Sequence, residues 1–156
     1  MNPSEDIISE IKEIIEKMLY FIGVSARSDV YLETNENGEV YRVDLSGDDL
    51  GALIGYHGEG LLALQTVLAL MVAKKFDKFF YINVDVNGYR QEREERLKDM
   101  TKRAVDKVLF SLSPVELPPM GASERRLIHM EVSKHRGVAS ESTGEGFGRR
   151  VVIKPS

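Results

Sequence analysis

The sequence predicts an α+β protein built from two small domains, and three observations carry that expectation. Apolar residues recur at helical spacing in some stretches and alternate with polar residues in others, so both element types are present. Asn87–Gly88 interrupts the chain between an alternating apolar stretch and a long, highly charged helical one. The charge changes sign at that point: residues 1–87 hold 7 Lys+Arg against 15 Asp+Glu, whereas residues 88–156 hold 14 against 10. The expected domains are therefore 1–87 and 88–156.

Taken in order, Ser4 caps a first helix with Glu5 and Asp6 in its first turn, where the helix dipole favours carboxylates. Ile7, Ile8, Ile11, Ile14, Ile15, Met18, Leu19 and Ile22 follow at helical spacing, and Gly23 ends the run. Val30–Thr34 reads as a strand, Asn37–Gly38 as a hairpin turn, and Tyr41, Val43 and Leu45 as the inward positions of a second strand. A short helix over 47–54 and the interruption Gly55-Tyr56-His57-Gly58 lead into a helix over 61–75. That helix is apolar nearly all round and is expected to be central and buried. Phe80, Ile82, Val84 and Val86 mark a third strand.

Beyond the boundary, Tyr89–Phe110 is a charged helix with Leu97, Met100, Ala104, Val105, Val108 and Leu109 as its core stripe. Pro114, Pro118 and Pro119 set an extended connection. A helix over about 123–135 stops at Gly137, and two strands, 138–142 and 149–154, flank a Gly144–Gly148 turn.

Composition bounds the function. The 156-residue chain is 42% hydrophobic and 29% charged, as a soluble globular protein is. It has no cysteine, which excludes disulfides and thiolate chemistry. The acidic N-terminus lacks the basic-then-apolar order of a signal peptide, and the apolar stretch Leu61–Ala73 is too short to span a bilayer. A cytoplasmic location and no transmembrane segment are expected. The net charge of -4 conceals a basic second half suited to a polyanion.

Two constellations carry chemistry. Gly55, Tyr56, His57 and Gly58 form a Gly-x-x-Gly loop between two helices, in the element order of a KH module, whose loop clamps a nucleic-acid backbone. This loop has no Lys or Arg, and Glu59 beside it repels phosphate, so weak binding is expected. Tyr56 can stack on a base, His57 can donate to a phosphate, and Lys74 and Lys75 are candidates for a basic rim. Arg125 and His129 lie four apart on one helical face, a donor pair suited to a phosphate. Arg126, Arg149 and Arg150 are supporting candidates, the last two on opposite strand faces. Of these sites, the Arg125–His129 face is expected to carry more of the phosphate affinity.

The stretches GALIGYHGEGLLALQTVLALMVAKK, VDVNGYRQEREERLKDMTKRAV and ERRLIHMEVSKHRGVASESTGEGFGRRVVIKP resemble the Jag family of bacteria (SpoIIIJ-associated proteins, also called KhpB or EloR). That family joins a KH domain to an R-x-x-x-H (R-3-H) domain. The resemblance implies a type II KH-like domain, helix-strand-strand-helix-helix-strand, followed by an R-3-H domain of two helices with a short β-sheet. It implies single-stranded RNA binding, with single-stranded DNA as the other candidate ligand, and post-transcriptional regulation. It carries Gly55, Tyr56, His57 and Gly58 over as the KH loop, and Arg125 and His129 as the signature pair. Many family members have an extra small domain and linker ahead of this point, whereas this chain begins almost directly at the first KH helix.

A second function class is an adaptor whose partner is a small single-KH protein or the membrane-insertase and cell-envelope machinery; a homo-oligomer is compatible with either class. Catalysis is not expected. No carboxylate–histidine or serine–histidine arrangement with the spacing of an enzyme family surrounds His57, His129 or His135. His129 and His135 are six apart, not a one-face metal-ligand spacing, so neither metal nor cofactor is expected.

Overall fold

The computed structural model describes residues 2–156, which pack as two compact units, one running to Arg90 and the other Gln91–Ser156. In the first unit, α1 (Pro3–Ile22) is capped by Asn2 rather than by the Ser4 that the sequence suggested. The Asn2 side chain accepts from the Ser4 amide and the Glu5 carboxylate reaches back to the Asn2 amide, so Pro3 occupies the first helical position, where its missing N–H is harmless. Ile11, Ile15 and Leu19 form its buried stripe.

Strands β1 (Arg27–Asn35) and β2 (Gly38–Ser46) form an antiparallel hairpin whose register ends at Asn35 opposite Gly38. The turn residues are therefore Glu36 and Asn37 rather than Asn37–Gly38. The Asn35 side chain accepts from the Asn37 amide and substitutes for a backbone turn bond. A short helix α2 (Gly51–Ile54), shorter than the 47–54 span expected, leads through the Tyr56–Gly58 turn into α3 (Glu59–Phe76). Strand β3 (Ile82–Val86) then pairs with β2 in parallel, with Val43 opposite Val84.

The sheet order is β1-β2-β3. Tyr41, Val43 and Leu45 on β2 and Ile82, Val84 and Val86 on β3 alternate inward, against Leu61, Leu64, Leu68 and Val72 of α3 and the stripe of α1. Fully burying each such aliphatic side chain is worth about 1.5–3 kcal/mol, so these positions fix the layer order. Among the described residues, Tyr56–Phe76 is the one helical stretch long and apolar enough to cross a membrane by length and composition. It is longer than Leu61–Ala73 because the helical stretch takes in the Tyr56–Gly58 turn at one end and Lys74, Lys75 and Phe76 at the other. One side of α3 lies in the core, while Leu62, Val67, Leu70 and Met71 face outward.

In the second unit, α4 (Tyr89–Ser111, the division falling after its second residue) buries Leu97, Thr101, Ala104, Val105 and Val108. The proline-bearing segment expected as an extended connection contains a two-residue strand, β4 (Val115–Glu116). It pairs with β6 (Arg150–Pro155), and Leu117 and Met120 continue donating to the carbonyls of Val151 and Arg149. Pro114, Pro118 and Pro119 cannot donate, which keeps this pairing short. Helix α5 (Ala122–Val132) ends earlier than 135, and β5 (Val138–Thr143) pairs with β6 on the other side, giving the antiparallel order β4-β6-β5. Ile128, Val132, Val151 and Ile153 close the core against α4.

Candidate nucleic-acid interface

Helix α5 brings Arg125 and His129 to one face, and β5 supplies what they touch. The even positions of β5 face inward: Val138 joins the core, while Ser140 and Ser142 meet the histidine. His129 Nδ1 lies 2.7 Å from Ser140 Oγ, and Nε2 lies 2.9 Å from Ser142 Oγ. Arg125 donates from Nη1 to Ser142 Oγ at 3.2 Å and from Nε to the Met120 carbonyl at 3.2 Å. A guanidinium can only donate, so Ser142 Oγ accepts from Arg125 and its own hydrogen is available to His129 Nε2. When that hydrogen is donated to Nε2, the histidine's own hydrogen sits on Nδ1, directed at Ser140. Burial, and then the charge of Arg125, hold the His129 pKa below its ordinary value of 6.5, which favours this neutral form.

The face is braced from beneath. Arg93 on α4 makes a two-pronged ion pair with Glu124 on α5, at 2.7 and 3.2 Å, with both side chains less than one-fifth exposed. Glu124 is thus engaged away from Arg126, which is exposed beside Arg125. Glu131 pairs with Lys134 at 3.1 Å. The structure brings Arg125 and His129 together but directs the other two arginines elsewhere. Arg149 Nη1 donates to the Gly144 carbonyl at 2.8 Å. Arg150 donates to the Gly148 carbonyl at 3.2 Å and to both Glu116 oxygens.

Ser140 and Ser142 escaped the sequence reading. Their signal is the alternation Val138-x-Ser140-x-Ser142, which assigns both hydroxyls to the core side of a strand. The resulting histidine–serine contact is absent from the sequence expectations. The second ring nitrogen meets another serine hydroxyl rather than a carboxylate. Among the described residues, no three His, Asp or Glu side chains gather as a metal site requires.

The Gly55–Gly58 turn is shaped mainly by backbone crowding. Gly55 has φ +68, and a Cβ there would lie 2.8 Å from the Gly60 nitrogen. Gly60 is tighter still: its Cβ would lie 2.6 Å from the Leu53 carbonyl oxygen. These two glycines let α2 and α3 meet backbone to backbone, a requirement that Gly60 betrays in the sequence only as a third glycine at close spacing. Gly58 has φ +85 and packs against Tyr89. His57 adopts φ 52 in the left-handed region, uncommon for a residue with a side chain. The Tyr56 and His57 rings stack on each other at 3.9 Å between centroids. One face of Tyr56 is therefore already covered.

Lys74 and Lys75 are in the last turn of α3, about 24 Å of helix from the loop at its other end. Lys75 pairs with Glu10 of α1. They do not form a rim for the Gly-x-x-Gly turn. Along β3, the outward N–H of Val84 donates to Gln65 Oε1 at 2.9 Å, and the Val84 carbonyl accepts from Arg90 Nε at 2.9 Å. Arg90 Nη2 closes the loop by donating to the same Gln65 oxygen at 2.8 Å.

Comparison with known proteins follows the same two units. The family model described as the KhpA/KhpB KH domain matches residues 12–86, and that of the R-3-H domain matches residues 95–155. The chain is 34% identical over 141 residues to the RNA-binding protein KhpB of Clostridium symbiosum, covering 90% of this chain and 63% of that protein. It is 29% identical over 153 residues to RNA-binding protein KhpB of Bacillus subtilis, covering 94% and 73%. Against RNA-binding protein KhpB of Streptococcus pneumoniae it is 28% identical over 149 residues, covering 96% and 44%. The chain thus spans less than two-thirds of the Clostridium and Streptococcus proteins.

Proposed function

This chain belongs to the Jag family of KhpB proteins, which join a KH domain to an R-3-H domain, and from that membership we propose that it binds single-stranded RNA as a post-transcriptional regulator. Residues 1–87 act as the KH part and 88–156 as the R-3-H part. The observation that carries the reading is the hydrogen-bonded Arg125–Ser142–His129 group. It holds the Arg125 guanidinium in place, with His129 engaging the shared Ser142 hydroxyl from the other side, within the residues matched to the R-3-H domain. A phosphate needs convergent donors held in place, and Arg125 is held at two nitrogens by the protein itself. The Gly55–Gly58 turn is the second, weaker contact.

The role is a grip rather than a reaction. A titration of the chain with labelled single-stranded RNA and DNA, at several salt concentrations, tests it. Binding that weakens steeply with salt is the expected outcome, and absence of binding to either strand overturns the reading. A nuclease assay with and without magnesium tests the absence of catalysis. The first unit also supports contact with protein, such as a small KH-domain partner, because Leu62, Val67, Leu70 and Met71 lie exposed along α3. Association that survives nuclease treatment would establish that second role.

A further inference from the structure

We propose that Phe147 is a base-stacking platform of the second unit, a contact outside the Arg125–His129 pair and resting on the RNA-binding reading above. The side chain is 98% exposed, at the tip of the connection between β5 and β6. A single exposed apolar residue is ordinary on a protein surface and by itself signifies nothing. What sets Phe147 apart is the scaffold under it.

Its turn is held at four points. The Gly148 amide donates to the Glu145 carbonyl at 3.1 Å and the Arg149 amide donates to the Gly146 carbonyl at 3.2 Å, forming a single tight turn around the phenyl group. Arg149 reaches back to the Gly144 carbonyl at 2.8 Å, and Arg150 reaches the Gly148 carbonyl at 3.2 Å. Gly144 has φ +86, and a Cβ there would lie 2.9 Å from the Gly148 oxygen, so the turn closes only with glycine at that position. A phenyl group left in water returns no burial free energy to folding. The bracing therefore fixes the backbone from which the ring projects and leaves the ring uncovered. The two arginines that sequence suggested for phosphates act as struts of this turn.

The position says what the ring meets. Ser142, hydrogen-bonded to both Arg125 and His129, lies opposite Val151, and the next pair, Thr143–Arg150, is the last before the turn. Phe147 is five residues beyond Ser142, a chain reach of no more than about 17 Å. A polynucleotide with a phosphate at Arg125 can bring a nearby base to this ring. Every base has a π-face, so stacking suits an RNA strand whatever its sequence.

The test uses the full chain, labelled single-stranded RNA and the variants Phe147→Ala, Phe147→Leu and Phe147→Trp. The expected result is a loss of affinity of roughly 5- to 100-fold for alanine and leucine, retention for tryptophan, and an unchanged salt slope, because stacking releases no counterion. The chain has no tryptophan of its own, so the emission of Phe147→Trp reports the contact directly and is expected to change on RNA binding. Alanine binding like the parent, leucine binding like tryptophan, or unchanged emission at saturating RNA each overturns the stacking role while leaving RNA binding intact. A parent chain that binds no RNA overturns both readings together.

Discussion

Arg125 and His129 are coupled through one hydroxyl, and the coupling decides how each behaves. Ser142 Oγ receives the guanidinium and faces Nε2, while Arg125 Nη2 remains available for a ligand. Replacing Arg125 by alanine should weaken binding of single-stranded RNA roughly tenfold or more, the scale of a charge-assisted hydrogen bond. It should also reduce the salt slope by about 0.7 for the phosphate lost. Titrations at three salt concentrations check both, and an undiminished slope would remove Arg125 from the interface. His129 predicts a pH effect on stability. Its pKa is lowered in the folded state, so on acidification the unfolded chain binds the proton first. The stability it contributes is complete above the unfolded value of 6.5 and is lost as pH falls from there through the lowered folded value. Urea denaturation of the parent and of His129→Gln at about pH 7.5, 6.5 and 5.5 should show their difference shifting in that direction. His57 and His135 are common to both proteins.

Elements reveal which parts of the fold were legible. Long periodic stretches such as α1 and α4 were readable because each packs one stripe against a core, whereas α3, expected to be central and buried, buries one side only and leaves Leu62, Val67, Leu70 and Met71 exposed. Strand β4 was not, because two paired residues between prolines carry no period; β6 makes it a strand. The same limit applied to the site. Arg125 and His129 share an element and were visible as a spacing, whereas Ser140 and Ser142 reach them from a different strand. The roles of Arg149 and Arg150 depended on a turn whose closure no spacing discloses. The glycines around the Gly55–Gly58 turn yield a prediction at this scale. Gly60→Ala forces a methyl against the Leu53 and Ile54 carbonyls and should destabilise the chain by about 1–3 kcal/mol. Gly51→Ala, with nothing within 4 Å of the new methyl, should be neutral or slightly stabilising. Denaturation midpoints of the two variants separate backbone crowding from a general intolerance of substitution.

At the scale of the whole molecule, charge sorts the labour. The first 87 residues are acidic and their loop has no lysine or arginine; residues 88–156 are basic and hold the Arg125–His129 group. Arg125→Ala should therefore weaken RNA binding more than His57→Ala, a ranking that parallel titrations check directly. If one strand engages both units, the double variant should bind more weakly than either single one, since each site raises the effective concentration seen by the other.

The small ring of hydrogen bonds joining Gln65, Val84 and Arg90 bears on how the first unit could be studied alone. A bare strand margin is a template on which further chains can assemble, and this ring occupies both outward groups of Val84. The match to the KH family ends at residue 86, four residues short of the arginine that completes the ring. A fragment cut there would leave the Val84 carbonyl open and should scatter light increasingly with concentration, whereas one extended through the first turns of α4 should stay dispersed. The residue that covers the Val84 carbonyl on the β3 margin thus lies past the point where the family pattern stops.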